Sequence, residues 1–229
     1  ISVIEIGGTV GDYQNIMFIE AARVLKIKHP DDVVFVMVSY LPIPQKIGEM
    51  KTRPTQNAVH QLASYGVATD VIIARAEVPL DKKRKEKIGI ACNIPVENVI
   101  SAPDIESVYD VPLNFEKDKL GDILAKRLKL KKKSGKGLGD WEKFANSVKN
   151  SSKEVHIAIV GKYFNTGDFI LTDSYVSVLE AIKYSAYNQK LKPVIHTVNA
   201  RDFEVKNPDY KVLNQYDGIL VPGGFGETG

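Results

Sequence analysis

The sequence has very little cysteine and histidine. Its single cysteine, Cys92, cannot form an intramolecular disulfide, which excludes a disulfide-stabilised framework and fits a reducing compartment. The four histidines show no spacing typical of zinc ligands, so we predict neither a zinc site nor a histidine-based site. No apolar run approaches the roughly 20 residues that span a bilayer. We therefore expect a cytoplasmic protein with no membrane partner.

The sequence also lacks a strong excess of charge of either sign. Its 31 Lys and Arg nearly balance its 28 Asp and Glu, for a formal net charge of +3. This balance argues against a nucleic-acid partner but still allows local basic clusters that bind anions.

Two Gly-Lys pairs, in SGKG (134–137) and VGKY (160–163), lack the GxxxxGK[ST] spacing of a phosphate-binding loop.

Strand-like and helix-like segments alternate along the chain, which predicts an α/β fold with parallel sheets. In the first part we predict strands at 1–6, 33–38, 70–74 and 98–101, and helices at 15–28, 55–65, 81–92 and 115–128. In the second we predict strands at 155–161, 193–198 and 218–221, and a helix capped within 172–174. The predicted domains are 1–128 and 154–229. They are joined by a linker at 129–153 that begins with a run rich in lysine and glycine.

The segment EIGGTVGD (5–12) places a carboxylate and three glycines where the first predicted strand ends. In open α/β sheets, ligands bind beyond the carboxyl ends of the strands. Glu5 could hold a hydrated Mg²⁺ against nucleotide phosphates, because Mg²⁺ prefers one or two carboxylates together with phosphate oxygens. A tight turn with an exposed glutamate is the alternative, and this segment alone leaves both open.

The segment KTRPTQ (51–56) concentrates cations and hydroxyl groups just before a predicted helix. Lys51, Thr52, Arg53 and the start of that helix could hold a triphosphate. The Gln56 amide can both donate and accept hydrogen bonds, as the edge of a pyrimidine requires. The alternative is a capped helix after a solvated basic turn.

Two further segments could bind ligands. Arg75 follows a strand-like run, and the lysine-rich stretch 82–87 comes next, of which one or two lysines could face a site. VPGGFG (221–226) places glycine amides just after a strand, where they could hold an oxyanion, although a simple glycine turn fits equally well.

EIGGTVGD, KTRPTQ, a lysine-bearing helix ending in IACNIP, VGKY and VPGGFG, in that order, resemble the CTP synthase family. The resemblance implies a P-loop-like amidoligase domain followed by a flavodoxin-like class I glutaminase domain, both incomplete in this chain. It also implies an ATP-dependent, Mg²⁺-requiring amination of UTP to CTP. The ammonia comes from glutamine, and a 4-phosphorylated UTP is the intermediate. The implied assembly is a homotetramer, with CTP as inhibitor and GTP as activator.

The resemblance also implies roles for individual residues. Glu5 matches the metal-binding glutamate of the family, and Gly224 and Phe225 match residues of its oxyanion hole and glutamine pocket. Arg75 and Asp104 match positions near ATP. The positions that match UTP or CTP contacts are Asp12, Tyr13, Gln14, Lys51, Thr52, Arg53, Gln56 and Lys87.

The sequence departs from the family pattern at several points. Gln14 stands where a glutamate is usual, which leaves the details of CTP inhibition open. Arg53 replaces a common lysine, and Thr228 replaces an arginine. The family's phosphate loop, its first metal-binding aspartate and its Cys-His-Glu triad are missing from these residues. We therefore expect part of a longer enzyme that is inactive alone.

Two alternatives stay open. One is a related ATP-dependent amidoligase that acts on another acceptor. The other is a non-catalytic protein that binds nucleotides or serves in assembly. In that case the missing elements would be true absences.

Overall fold

A computed structural model describes residues 1–46, 48–131, 137–162, 164–166, 169–170 and 175–223. The chain divides into two compact units, Ile1–Leu138 and Gly139–Gly229. Each unit contains a parallel sheet with helices, which confirms the predicted α/β class. Among the described residues, no helix is long and apolar enough to cross a membrane.

The first unit is built on three parallel strands in the order β1-β2-β3. Parallel neighbours require crossover connections, and helices supply them here. The strands are β1 (Val36–Tyr40), β2 (Val71–Ala76) and β3 (Val99–Pro103). The helices are α1 (Ile16–Lys28), α2 (Arg53–Ser64), α3 (Lys82–Cys92), α4 (Val111–Lys117) and α5 (Leu120–Arg127).

Side chains from β2 reach both faces of this sheet. Ile72 and Ala74 belong to one buried cluster, together with residues of α2 and α3 such as Val59 and Ile88. Val71 joins a second cluster that includes residues of β3, α4 and α5. Because successive residues of a strand point to opposite faces, this division means that helices cover the sheet on both sides.

The predicted strand at 1–6 is wrong for this structure. No strand is assigned there, and the side chains of Ile1, Val3 and Ile4 are 97%, 95% and 78% exposed. A strand needs a hydrogen-bonded neighbour. In the described part of the first unit, β1 pairs with β2 alone, so this apolar run has no strand partner.

The strand predicted at 33–38 lies later in the chain and is less buried than expected. It spans Val36–Tyr40, and only Met37 is fully buried, whereas Val36, Val38 and Tyr40 are exposed. The reason is position, because β1 is at the edge of the sheet. An edge strand does not have the continuous double-sided burial that its β-branched sequence suggested.

The long helix predicted at 115–128 is instead two shorter helices, α4 and α5. The break falls at Lys119, whose φ of 55° is left-handed and ends regular α-helix. The neighbouring Asp118 carboxylate accepts the Ser101 backbone N–H at 2.6 Å. This contact with β3 explains why the chain turns here, and periodicity within the helix could not reveal it.

The second unit also has three parallel strands, in the order β7-β4-β8. They are β4 (Lys153–Gly161), β7 (Leu191–Asn199) and β8 (Gly218–Leu220). The helices are α6 (Gly139–Asn150) and α7 (Val176–Asn188), and β5 (Asn165–Thr166) and β6 (Phe169–Ile170) form a short antiparallel pair. Ile159, Phe164 and Tyr175 form the buried core.

Helix α6 falls inside the predicted linker at 129–153. Phe144 of α6 stacks on Tyr184 of α7 at a ring-centroid distance of 4.7 Å, so this stretch is part of the second unit. The division into an amidoligase and a glutaminase domain stays a prediction. The predicted helix cap at 172–174 lies outside the described residues.

Candidate functional site

The carboxyl ends of β1, β2 and β3 lie at one edge of the first sheet, because the strands run parallel. Two backbone hydrogen bonds continue this alignment just beyond the ends of the strands. The Leu41 N–H donates to the Arg75 carbonyl at 2.7 Å, and the Asp104 N–H donates to the Ala76 carbonyl at 2.9 Å. The loop that follows β1 and the first residue after β3 are thereby fixed beside the end of β2.

The loop between β1 and α2 is closed by backbone hydrogen bonds. The Lys51 N–H donates to the Pro42 carbonyl, and the Gly48 N–H donates to the Pro44 carbonyl, both at 2.9 Å. This folds the loop back on itself just before α2 begins at Arg53. Pro54 lies in the first turn of α2, where its missing N–H removes no helical hydrogen bond.

Three polar side chains at the start of α2 are buried. Thr55 is 0% exposed and shares a 2.8 Å hydrogen bond with the Ser39 hydroxyl of β1. The Gln56 amide donates to the Thr52 hydroxyl at 3.1 Å. Thr52 and Gln56, both predicted to contact UTP, are thus brought together and hydrogen-bonded to each other, whereas Arg53 is exposed.

A mixed-charge group forms where this loop approaches α3. Lys51 Nζ lies 2.9 Å from Glu49 Oε2. The hydrogen bond from Lys51 and its positive charge lower the pKa of Glu49. The charges of Arg84 and Lys87 on α3 act in the same direction. We call Glu49, Lys51, Arg84 and Lys87 the Glu49 cluster.

The Glu49 cluster carries excess positive charge. Asp81 caps α3, accepting the Arg84 N–H at 2.7 Å, and it also pairs with the Arg84 guanidinium. The contacts of Arg84 with Asp81, headed by that backbone hydrogen bond, hold the pKa of Asp81 below its ordinary value. Lys87 forms no salt bridge with any described residue. One positive charge therefore remains after the two carboxylates are counted against the three cations.

The structure thus brings together two predicted UTP contacts, Lys51 and Lys87, from separate elements. It adds Glu49 and Arg84, which the sequence analysis did not select. Glu49 lies two residues before Lys51, just outside the KTRPTQ segment, and Arg84 lies within the lysine-rich stretch 82–87. Only the fold could indicate that α3 reaches the loop after β1.

The loop before α1 turns tightly. The Asp12 carboxylate accepts the Thr9 N–H at 2.7 Å, and the Asp12 N–H returns to the Thr9 carbonyl at 3.0 Å. Gly11 has a φ of +103°, which favours glycine, and a Cβ there would also contact Gln61 Nε2 of α2. This loop therefore lies against the helix that begins beside Lys51.

The remaining predicted residues of this loop face solvent. Tyr13 is 89% exposed, and Gln14 and Glu5 are also exposed. Among the described residues, no hydrogen bond or ion pair joins Glu5 to the Glu49 cluster. Within the same part of the chain, no group of three or more Asp, Glu, His or Cys could hold a metal ion. Among the described residues, Glu5 is therefore not part of a preformed group of three or more metal ligands.

The two predicted ATP contacts, Arg75 and Asp104, are brought together. Arg75 Nη2 lies 4.0 Å from Asp104 Oδ1, and the two side chains are 60% and 58% exposed. This is an open, charge-balanced pair at the ends of β2 and β3. Gly224 and Phe225, predicted to bind glutamine, lie outside the described residues.

The end of β4 in the second unit is closely packed. A Cβ on Gly161 would lie 2.9 Å from the rings of both Phe164 and Tyr175, which explains the glycine in VGKY. The next residue, Lys162, pairs with Glu204 at 3.2 Å. In this structure that lysine contacts another side chain of its own unit.

A model of the family described as CTP synthase N-terminus matches residues 1–130, more than half of the chain. The chain is 44% identical over 228 residues to the CTP synthase of Pyrococcus furiosus, covering 99% of this chain and 41% of that protein. It is 40% identical over 235 residues to the CTP synthase of Methanocaldococcus jannaschii, covering 100% of this chain and 42% of that protein. The chain thus spans about two fifths of the length of these curated relatives. It belongs to the CTP synthase N-terminus family.

Proposed function

We propose that the protein containing this chain is a CTP synthase, which aminates UTP to CTP. ATP phosphorylates the 4-oxygen of UTP, and ammonia from glutamine displaces that phosphate. Residues 1–128 would be the C-terminal part of the amidoligase domain, and 154–229 the start of the glutaminase domain. The relatives named CTP synthase, which align over nearly the whole chain, support this assignment.

The observation that carries the proposal is the excess positive charge of the Glu49 cluster. Lys51 and Lys87 come from two elements but act on one carboxylate, so their charges can act on one ligand as well. Lysines placed in this way suit a triphosphate, whose charge is spread over several phosphates. Arg53 adds a further cation at the start of α2, where the helix dipole also favours anions.

The buried polar pair of Thr52 and Gln56, which follows Lys51 in the chain, fits recognition of a pyrimidine base. The Gln56 amide now donates to the Thr52 hydroxyl, and it retains an acceptor oxygen and a second N–H. An amide can match a uracil edge, which offers both a donor and an acceptor. We also propose that the loop with Asp12, Tyr13 and Gln14 lines the same nucleotide, on the basis of the family resemblance.

The exposed carboxylate of Glu5 fits a magnesium site that shares its ion with a nucleotide. Because this carboxylate is open to solvent and no group of three or more ligands forms among the described residues, water and phosphate oxygens could complete the coordination shell. Bound there, Mg²⁺ would neutralise phosphate charge during phosphoryl transfer. Glu5 would hold the ion, and the glycines beside it would let a nucleotide approach the backbone.

Arg75 and Asp104 would contact ATP without attracting its phosphates strongly. Their charges balance, and both side chains are open to solvent. An arginine can stack on a base, and a carboxylate can accept hydrogen bonds from an amino or hydroxyl group. Both fit the nucleoside part of ATP better than its phosphates.

The glutamine-dependent half of the reaction would begin in the second unit. We propose that Gly224 contributes to an oxyanion hole and that Phe225 lines the glutamine pocket, on the basis of the VPGGFG motif. We also propose a homotetramer with CTP as inhibitor and GTP as activator. These last three proposals depend on the family resemblance alone.

The direct test is CTP formation by the intact protein from UTP, ATP, Mg²⁺ and ammonia. We expect product with UTP, and Glu5→Ala should reduce the rate to background because the ion would lose its protein ligand. Glutamine hydrolysis should survive in that variant. Glu97→Gln, which removes one negative charge elsewhere in the first unit, is the control. CTP formation by Glu5→Ala at the normal rate would refute the metal assignment, and the absence of CTP from the unmodified protein would refute the function.

A further inference from the structure

Glu49 occupies an unusual position for a surface carboxylate. Its side chain is 56% exposed, yet it accepts a hydrogen bond from Lys51, and the charges of Arg84 and Lys87 also act on it. Two of these three cations, Lys51 and Lys87, are the proposed ligands of the UTP triphosphate. A negative side chain therefore lies among the groups that should attract a negative ligand.

Comparison with another exposed glutamate shows what is particular about this arrangement. Glu20 forms a hydrogen-bonded pair with Arg23, with contacts of 2.7 and 2.8 Å. That pair lies within one helix and joins residues three apart. Glu49, in contrast, acts on cations from a loop and from α3. The ordinary surface pair has only local contacts, whereas Glu49 balances charge between two elements of the fold.

The Lys51 ammonium has three N–H donors; Glu49 accepts one of them, and its negative charge offsets part of the attraction that Lys51 has for a phosphate. An incoming polyphosphate competes for the same ammonium group and is repelled by the carboxylate. The exposure of both side chains allows Glu49 to rotate away into water at small cost. A bound polyphosphate would therefore replace the Glu49 carboxylate as the anion beside Lys51.

We infer that Glu49 is an internal counter-ion for the phosphate-binding lysines, and that a polyphosphate displaces it. Glu49 balances Lys51 while the site is empty and lowers the affinity for a nucleoside triphosphate. The inference rests on the proposed function, since it takes the Glu49 cluster as the triphosphate site.

The test is the affinity of inorganic triphosphate for the intact protein and for Glu49→Gln, measured by calorimetry in magnesium-free buffer at low salt. Removing the competing charge should tighten binding by about threefold to tenfold, the range expected for exposed charges. Glu20→Gln removes an equal charge and an equally exposed pair, so it is the matched control and should change affinity less than about twofold. The gain should shrink at high salt because exposed charges are screened.

A double-mutant cycle identifies the partner. In a Lys51→Ala background, Glu49→Gln should gain clearly less than it does alone, because the hydrogen bond to be exchanged is already gone. Unchanged or weaker binding by Glu49→Gln, in a protein that does bind triphosphate, overturns the inference and leaves the proposed function standing. If neither triphosphate nor UTP binds the unmodified protein, the proposed function itself fails.

Discussion

The Glu49 cluster and the Arg75–Asp104 pair lie in the same unit of the chain, yet they differ in charge balance. The cluster keeps an uncompensated positive charge even after Asp81 is counted, and its lysines come from a loop and a helix. The pair joins one cation to one anion at 4.0 Å. From this difference we infer that the two groups have different roles. The cluster attracts phosphates, and the pair contacts a nucleoside.

The largest effect should come from removing a lysine of the cluster. In the intact protein we expect Lys51→Ala to weaken UTP binding by about 10- to 100-fold, because a charge-assisted hydrogen bond is lost. ATP binding should stay within about twofold, since this contact is assigned to UTP alone. Calorimetric titration with each nucleotide measures both. Lys28→Ala, in the last turn of α1, is the control. An unaltered UTP dissociation constant for Lys51→Ala would contradict the difference drawn here between the Glu49 cluster and the Arg75–Asp104 pair.

Changing the Arg75–Asp104 pair should weaken the binding of ATP and not that of UTP. We expect Arg75→Ala to weaken ATP binding by about tenfold, with UTP affinity unchanged, because the lost group would contact the ATP nucleoside. The same titrations apply. Arg127→Ala is a suitable control, since that exposed arginine of α5 pairs with Asp70 instead. Equal losses for UTP and ATP would mean that the two charge groups form one site.

A smaller effect should come from the buried hydroxyls near the cluster. Thr55→Val removes the hydrogen bond to Ser39 and leaves that hydroxyl without this partner. We expect the local free energy of unfolding to fall by about 1 kcal/mol. Hydrogen exchange of the β2 amides measures this loss of local stability in the first unit. Thr197→Val, an exposed change on β7, should leave those amides as they were. Unchanged exchange in Thr55→Val would show that this contact does not stabilise the sheet of the first unit.

The sequence predicted the alternation of strands and helices, and the positions of β2, α2 and α3 to within two residues, because their apolar patterns are local. The strand at 1–6 was wrong because apolarity does not reveal whether a partner strand exists. The break between α4 and α5 was missed because Asp118 bonds to a distant strand. The residues around Lys51 selected that lysine and the family resemblance selected Lys87, but their common partner Glu49 depends on how α3 packs beside a loop.

The smallest expected effect is on the ionisation of Glu49. The hydrogen bond from Lys51 holds the pKa of Glu49 below its ordinary value, so at the pH where an unfolded glutamate is half protonated, more than half of Glu49 is ionised. A lowered folded-state pKa contributes stability above the unfolded pKa, and that contribution is lost as the pH falls through the folded pKa.

NMR titration of the Glu49 carboxyl carbon should place its midpoint below that of an unfolded glutamate, and Lys51→Ala should move the midpoint upward. Glu20, which depends on Arg23 for its own lowered pKa, should titrate unchanged in that variant. Because the charge of Lys87 lowers the pKa of Glu49 less than Lys51 does, Lys87→Ala should raise the Glu49 midpoint less than Lys51→Ala does. If the Glu49 midpoint is the same in both lysine variants as in the unmodified protein, the carboxylate is an isolated surface group. The contrast with the Arg75–Asp104 pair would then lose its electrostatic basis.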